Sequence, residues 1–253
     1  MELDIRLSLV CDIGCTRPIN EDMILISGET YRDCKDVFST IIQDRGRFVA
    51  AVADGMGGHN AGEVASRMAL DLFDNFIISL PPDYSDNDFR NKIDDTIKRL
   101  HNNLNLYGQK HPDCHGLGTT LVSWLTYENR IYIVNVGDSR LYRYRNGILT
   151  QLTTDHSEQN KYHDFSLPSN IIYNCLGGGG ESAFADVMEI TNKVFEDDVF
   201  LLCSDGLYDF LSEDEIEKIL FETCDASSLV DAAKTKGGDD NISAIIITIR
   251  KTK

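Results

Sequence analysis

Four times in this chain an apolar run meets an aspartate and a glycine at its end. The steps are Ala53-Asp54-Gly55, Val136-Gly137-Asp138, Cys203-Ser204-Asp205-Gly206 and, in mirror order before the last apolar run, Gly238-Asp239-Asp240. Taken singly, each is a turn, because Asp and Gly are the ordinary turn formers. The repetition alters that weighing. Strands packed in one core can deliver their end residues to a shared edge, and carboxylates gathered there repel unless a cation lies between them. Hard divalent ions such as Mg²⁺ or Mn²⁺ take oxygen ligands. Two such ions bridged by one carboxylate can polarise a phosphoryl oxygen and generate hydroxide from bound water. Gly55, with no side chain, lets the backbone carbonyl approach an ion, and the stretch from Gly55 to Gly58 leaves the site open.

A second acidic group lies in Gly14-Cys15-Thr16-Arg17-Pro18-Ile19-Asn20-Glu21-Asp22. Arg17 beside Glu21 and Asp22 suits an anion clamp next to a metal site, since a guanidinium binds phosphate bidentately. Standing alone, the segment reads sooner as a surface ion pair, by roughly two to one.

These residues need elements to position them. Residues 3–10 alternate as a strand, and Met23 to Ile26 is a short apolar run. Phe48 to Ala53 is a continuous apolar strand that ends in Asp54 to Gly58, read as a loop that is neither helix nor sheet. Val64, Ala65, Met68, Ala69, Leu72, Phe73, Phe76 and Ile77 repeat at helical spacing, with Asn60 and Glu63 as cap and acidic partner. Residues 86–107 form a second helix. Strands follow at Thr119–Thr126, Ile131–Val136, Leu141–Tyr144 and Ile148–Leu152, the last two joined by the turn Arg145-Asn146-Gly147. Residues 156–182 lack periodicity and read as a mobile surface segment. Val199 to Cys203 is a buried strand. Ser212 and Glu215 cap a helix through Leu220, and Asp225 caps another through Lys234. Ile242 to Ile249 closes the chain. Strands in meander order with two early and two late helices argue against a βαβ parallel sheet and favour an α+β layered domain of antiparallel sheets covered by helices.

Composition narrows the functions. The 253 residues are 42% hydrophobic and carry a formal charge of −17. Such a charge repels phosphate backbones and anionic lipid, which argues against nucleic-acid and membrane partners. Seven cysteines make an odd count without a Cys-x-x-Cys pair, so zinc and disulfide frameworks are weak readings. Cys11 and Cys203 read as small core residues. His111, Cys114 and His115 read as a loop before a metal cluster. The N-terminus lacks a basic block followed by an apolar one, and no apolar run approaches the about 18 residues of a membrane span. The expected setting is reducing and cytoplasmic.

At this point the residues resemble a known family. Gly14-x-x-Arg17-x-x-Asn20-Glu21-Asp22, Ala53-Asp54-Gly55-Met56-Gly57-Gly58-His59, Gly118-Thr119-Thr120, Val136-Gly137-Asp138-Ser139-Arg140, Thr154-Asp155-His156-Ser157, Cys203-Ser204-Asp205-Gly206-Leu207 and Asp240-Asn241-Ile242-Ser243 are similar, in order, to the motifs of the PP2C (PPM) serine/threonine phosphatases, bacterial type. The resemblance implies a four-layer α-β-β-α sandwich, two antiparallel sheets flanked by helix pairs, in one domain spanning 1–253. It implies a core site for two Mn²⁺ or Mg²⁺ ions. Asp54 would bridge them, the Gly55 carbonyl would bind one, and Asp205 and Asp240 the other. Glu21 and Asp22 would act through bound water, Asp138 with Asp205 would serve a weaker third ion, and Arg17 would grip the substrate phosphate. His59 would protonate the leaving group, Asn241 would orient Asp240, and Asp155-His156-Ser157 would mark the start of a flap at about 156–182. That flap departs from the pattern. It is short, and Asn170 to Cys175 holds no arginine.

The expected activity is hydrolysis of phosphoserine and phosphothreonine in proteins by a metal-bridging hydroxide, without a phosphoenzyme. No cysteine here has a phosphate-cradling loop and a following Arg. The expected partners are phosphorylated proteins and a cognate Ser/Thr kinase, met by a monomer. The main alternative is a pseudophosphatase that senses or scaffolds a kinase. A metal-dependent nuclease is disfavoured by the charge and by the lack of a basic stripe.

Overall fold

Alternation decides which way each strand faces. In the computed structural model, which describes residues 2–57 and 61–252, Leu3, Ile5, Leu7 and Leu9 of the strand Leu3–Asp12 are fully buried on one side. The continuous apolar run Phe48–Ala53 is buried on both. Phe48, Ala50 and Val52 face one apolar cluster, whereas Val49, Ala51 and Ala53 face another. A strand with two covered faces has no place for polar residues, hence the unbroken run.

The strands form two six-stranded sheets in which all neighbours are antiparallel. One runs, edge to edge, Ile148–Gln151, Arg140–Arg145, Val199–Cys203, Ile242–Thr252, Leu3–Asp12, Cys34–Ile42. The other runs Asp186–Glu189, Arg130–Val136, Leu121–Tyr127, Phe48–Ala53, Met23–Ile26, Glu29–Tyr31. Three apolar clusters separate the elements. One joins the second sheet to the long helices Ala61–Ser79 and Asp86–Lys110. One lies between the sheets, where Trp124 meets Phe48 edge-on at 6.0 Å and Phe200 at 6.1 Å. The third joins the first sheet to Glu213–Glu222 and Ala226–Thr235. Each buried Leu, Ile or Phe contributes roughly 1.5–3 kcal/mol. The inter-sheet cluster therefore outweighs any surface ion pair in holding the sheets face to face. We read the three clusters as the interfaces of the four expected layers. Cys11 and Cys203 are buried within them, and all seven cysteines are free thiols. Among the described residues no helix is long and apolar enough to cross a membrane.

Several local expectations change. The Asp54 loop is partly sheet: Gly55–Met56 pairs with Gly118–Thr119, which pairs with Leu176–Gly177 in a small third sheet. The predicted strand from Thr119 therefore divides, and its main part is Leu121–Tyr127. Ser85, not singled out in the sequence, caps the second helix by accepting from the Asp88 amide. The box of Ser212 and Glu215 forms as predicted. Asp225 does not cap directly. The Ser8 hydroxyl accepts from Ala226 N at 3.0 Å and donates to Asp225 at 2.7 Å, so a residue from the first strand does that work. The segment 156–182 is pinned near Ser157 and at Gly177, and it is exposed both in its middle and at 178–182. Ser157 bridges to Ile172 and caps the short helix Glu158–Tyr162, and the buried His101 accepts from Gly177 N at 3.2 Å. His111 stacks on Tyr107 at 4.2 Å, a structural contact at a helix end.

Candidate metal centre

Four strand termini and one loop converge on a cleft of about 280 Å³ lined by Arg17, Glu21, Asp54, Gly55, Asp138, Asp205 and Asp240, among others. Asp22 stands behind this wall, buried, rather than in it. Register explains the convergence. Met23 pairs with Ala53 in one sheet, and in the other Asp12 pairs with Ile242 and Cys203 with both Arg140 and Ala244, so the chain leaves Asp12, Ala53 and Cys203 and enters Met23, Arg140 and Ile242 at one end of each sheet. His59 and the proposed cap Asn60 lie outside the described residues.

Backbone contacts hold the aspartates in place. The Asp54 amide donates to Thr120 Oγ1 at 3.0 Å, and its carbonyl accepts from Thr120 N at 2.9 Å and Thr119 Oγ1 at 2.8 Å. A Cβ added to Gly55 would lie 2.1 Å from the Gly62 carbonyl oxygen, and one added to Gly14 would lie 2.0 Å from that of Asp240. Both glycines are therefore required by close backbone approach between site loops. Asp138 follows Gly137, whose amide donates to His156 Nδ1 at 3.1 Å, and its carbonyl accepts from Tyr208 at 3.0 Å. Arg140, clamped on Asp155 at 2.7 Å, lies over the Tyr208 ring.

Asn241 departs from its expected role. Its backbone amide, not its side chain, donates to Asp240 at 2.8 Å. The side chain accepts from Glu21 N at 2.8 Å and donates to the carbonyls of Ile13 and Ile19, so it orders the loop that carries Arg17 and Glu21. Two supporting residues were not singled out. Ser204 donates to Asp22 Oδ2 at 2.7 Å. Arg32 donates to the Asp22 carbonyl at 3.0 Å, to the Glu63 carbonyl and to Ser66, and pairs with the Glu63 carboxylate at 2.7 Å. Ser204 could have been noticed beside Asp205, but Arg32 lies in a turn with no chemical pattern around it.

The electrostatics are those of crowded, desolvated carboxylates. Burial, with repulsion from Asp205 and Asp240 and against the Ser204 hydrogen bond, pushes Asp22 up to about 7. Burial and Asp205 push Asp138 up to about 7. Burial and Asp240 push Asp205 up to about 6. Asp54 is held well above the usual carboxylate range by burial and then by Asp22, Asp205, Asp138 and Asp240. Asp22 Oδ1 and Asp205 Oδ1 are buried with no hydrogen-bond partner among the described residues. Such orphan oxygens are costly unless a cation satisfies them. Among the described residues no three Asp, Glu, His or Cys side chains form a preformed metal cage. The donors are instead an open, all-oxygen set, which suits hard ions that keep part of their water shell. The residues present fit such ions.

A sequence model of the family described as Protein phosphatase 2C matches residues 30–236. The serine/threonine phosphatase stp of Listeria monocytogenes serotype 4b (strain F2365) is 35% identical over 213 residues, covering 79% of this chain and 83% of its own. The S. agalactiae serine/threonine phosphatase structure superposes with a TM-score of 0.80 at 27% identity, covering 97% of this chain and 100% of that one. The catalytic domain of the serine threonine protein phosphatase PstP, solved in complex with two manganese ions, has a TM-score of 0.72 at 28% identity, covering 98% of this chain and 100% of that one.

Proposed function

The chain belongs to the protein phosphatase 2C family, and from that membership we propose that its acidic cleft hydrolyses phosphoserine and phosphothreonine in proteins. The observation that supports this most is the gathering of Asp54, Asp138, Asp205 and Asp240 with Arg17 on one cleft, backed by orphan carboxylate oxygens. Asp54, Asp205, Asp240 and the Gly55 carbonyl would hold two divalent ions, Glu21 and Asp22 would act through water, and Asp138 with Asp205 would serve a third. When bound, Mn²⁺ or Mg²⁺ supplies Lewis-acid polarisation and an acidified water.

The chain's own residues do the rest. Arg17 is the cation at the cleft able to take a phosphate oxygen pair. The Thr119-Thr120 and Asn241 contacts keep the carboxylates and the Arg17 loop from collapsing toward one another. Asn170 and Ile172 of the 156–182 segment form one wall, so that segment borders whatever phosphorylated residue enters. Phosphoprotein substrates, a cognate kinase, a monomeric state, a single domain and a cytoplasmic setting complete the reading. Nothing observed favours the non-catalytic alternative. The test is release of phosphate from a phosphothreonine peptide by the purified protein with Mn²⁺. Activity that is absent, or unaltered by Asp205→Asn, sinks the proposal.

A further inference from the structure

His156 is a buried imidazole, 2% exposed, whose partners lie at the cleft rather than in the apolar clusters. Its backbone amide donates to the Gly137 carbonyl at 3.0 Å, and its ring Nδ1 accepts from the Gly137 amide at 3.1 Å. Both backbone groups of the residue before Asp138 are thus held by His156. Its own carbonyl accepts from Tyr173 N at 2.9 Å, next to Ile172, and the adjoining Ser157 bridges to Ile172. Ile172 and Asp138 line the same cleft. One residue therefore joins the root of the 156–182 segment to the turn that carries Asp138.

The ring's tautomer follows from its neighbours. Asn174 Nδ2 donates to His156 Nδ1 at 2.7 Å. The orientation of that amide is fixed, because Nδ2 also donates to the Phe184 carbonyl at 2.9 Å and Oδ1 accepts from Phe184 N at 3.2 Å. Two donors face Nδ1, and one is a backbone amide that cannot turn, so Nδ1 carries the lone pair and the ring proton is on Nε2. Nε2 then donates to Asp186 Oδ2 at 3.1 Å. The Phe184 ring packs on the imidazole at 4.9 Å and the Tyr173 ring at 5.8 Å, which leaves it no room to turn over. We propose that His156, as the Nε2–H tautomer, is a positioning residue that sets Asp138 through Gly137 and the Ile172 wall through Tyr173. A substrate seated on that wall and an ion held by Asp138 are then coupled. The ion half rests on the functional reading above, whereas the tautomer and the two-way tie do not.

Two variants separate the ring nitrogens. His156→Asn puts an amide oxygen where Nδ1 stood and keeps an acceptor for Gly137. His156→Gln puts its amide near Nε2 and leaves the Gly137 amide without one. In chelator, His156→Gln speeds hydrogen exchange at the Gly137 and Tyr173 amides by about three- to tenfold, the worth of one neutral hydrogen bond, and His156→Asn speeds it less. With Mn²⁺, the Gln variant raises KM for a phosphothreonine peptide by a similar factor while KM for a small aryl phosphate stays put. It also raises half-saturating Mn²⁺ with both substrates, and the Asn variant recovers most of each change. Asp186→Ala, at a side chain 59% exposed, moves the same quantities the same way by about twofold, which keeps the test in force if the Gln variant does not fold. Long-range ¹H–¹⁵N NMR of the parent in chelator finds Nδ1 unprotonated and Nε2 protonated. The opposite tautomer, equal losses in the Asn and Gln variants, or a peptide KM that stays constant while only kcat and melting temperature fall overturns the proposal. Faster exchange at both amides with an unaltered Mn²⁺ requirement overturns the coupling to the ion and leaves the tie to the wall. A parent that hydrolyses neither substrate sinks the functional reading instead, and exchange and NMR still decide the tie.

Discussion

Arg17 Nη2 lies 2.7 Å from Asp240 Oδ2, so the residue read as a phosphate clamp is paired with a residue read as a metal ligand. Both side chains are partly exposed, which makes the pair weak and exchangeable. A divalent ion on Asp240 would compete for the same oxygen and turn the guanidinium toward an incoming phosphate.

From this pairing, Arg17→Ala lowers kcat/KM for a phosphopeptide by about ten- to a hundredfold, the worth of hydrogen bonds to a charged group. Most of the loss falls on KM. Half-saturating Mn²⁺ falls as well, because Asp240 no longer has a competing cation. Steady-state kinetics over a Mn²⁺ series measures both, and a rise in the Mn²⁺ requirement contradicts the competition.

The crowded carboxylates trade stability for ion binding. Asp205→Asn removes one charge from a cluster whose members are pushed up toward 6 and 7. The variant therefore melts at a higher temperature than the parent in chelator, and it loses most of the further rise that Mn²⁺ gives the parent. Asp54→Ala abolishes the Mn²⁺ response altogether. Differential scanning calorimetry with and without Mn²⁺ decides, and a variant less stable than the parent in chelator speaks against charge crowding.

Arg32 is a support that the chemistry does not advertise. Arg32→Met takes one donor from each of the carbonyls of Asp22 and Glu63, which keep contacts from Cys11 and Ser66, and costs roughly 1–2 kcal/mol in urea unfolding. The same change raises the Mn²⁺ requirement, because Asp22 loses the tie that Arg32 makes from its carbonyl to the helix Ala61–Ser79. Unaltered unfolding would show these bonds to be dispensable.

The pair Glu215–Lys236 gives a pH signature away from the cleft. The Lys236 hydrogen bond, then those from Ser212, hold Glu215 down at about 2, below its ordinary 4.5. A depressed carboxylate stabilises the fold above its unfolded value and loses that contribution as pH falls toward its folded one. The parent thus melts above Glu215→Gln at pH 6, and the difference shrinks between about pH 4.5 and 2. Parallel melts across that range check it, and a gap that widens in acid has the wrong sign.

The sequence alone determined what depends on neighbours along the chain. The period of two in Leu3–Leu9, the helical period from Val64 to Ile77 and the box of Ser212 and Glu215 are local patterns, and the elements formed where those patterns lay. The Asp-Gly steps marked the site because strand ends and turns are also local. Only the tertiary structure decided which of those ends meet. Ser204 reaches Asp22 across 182 residues and Arg17 reaches Asp240 across 223. Such contacts follow from how two sheets and their loops close on one another, and spacing along the chain carries no record of that. For the same reason Asn241 turned out to order the Arg17 loop rather than Asp240 by its side chain, and Ser8 rather than Asp225 capped a helix. A side chain's partner is set by three-dimensional proximity, whereas its type and its element are set by sequence.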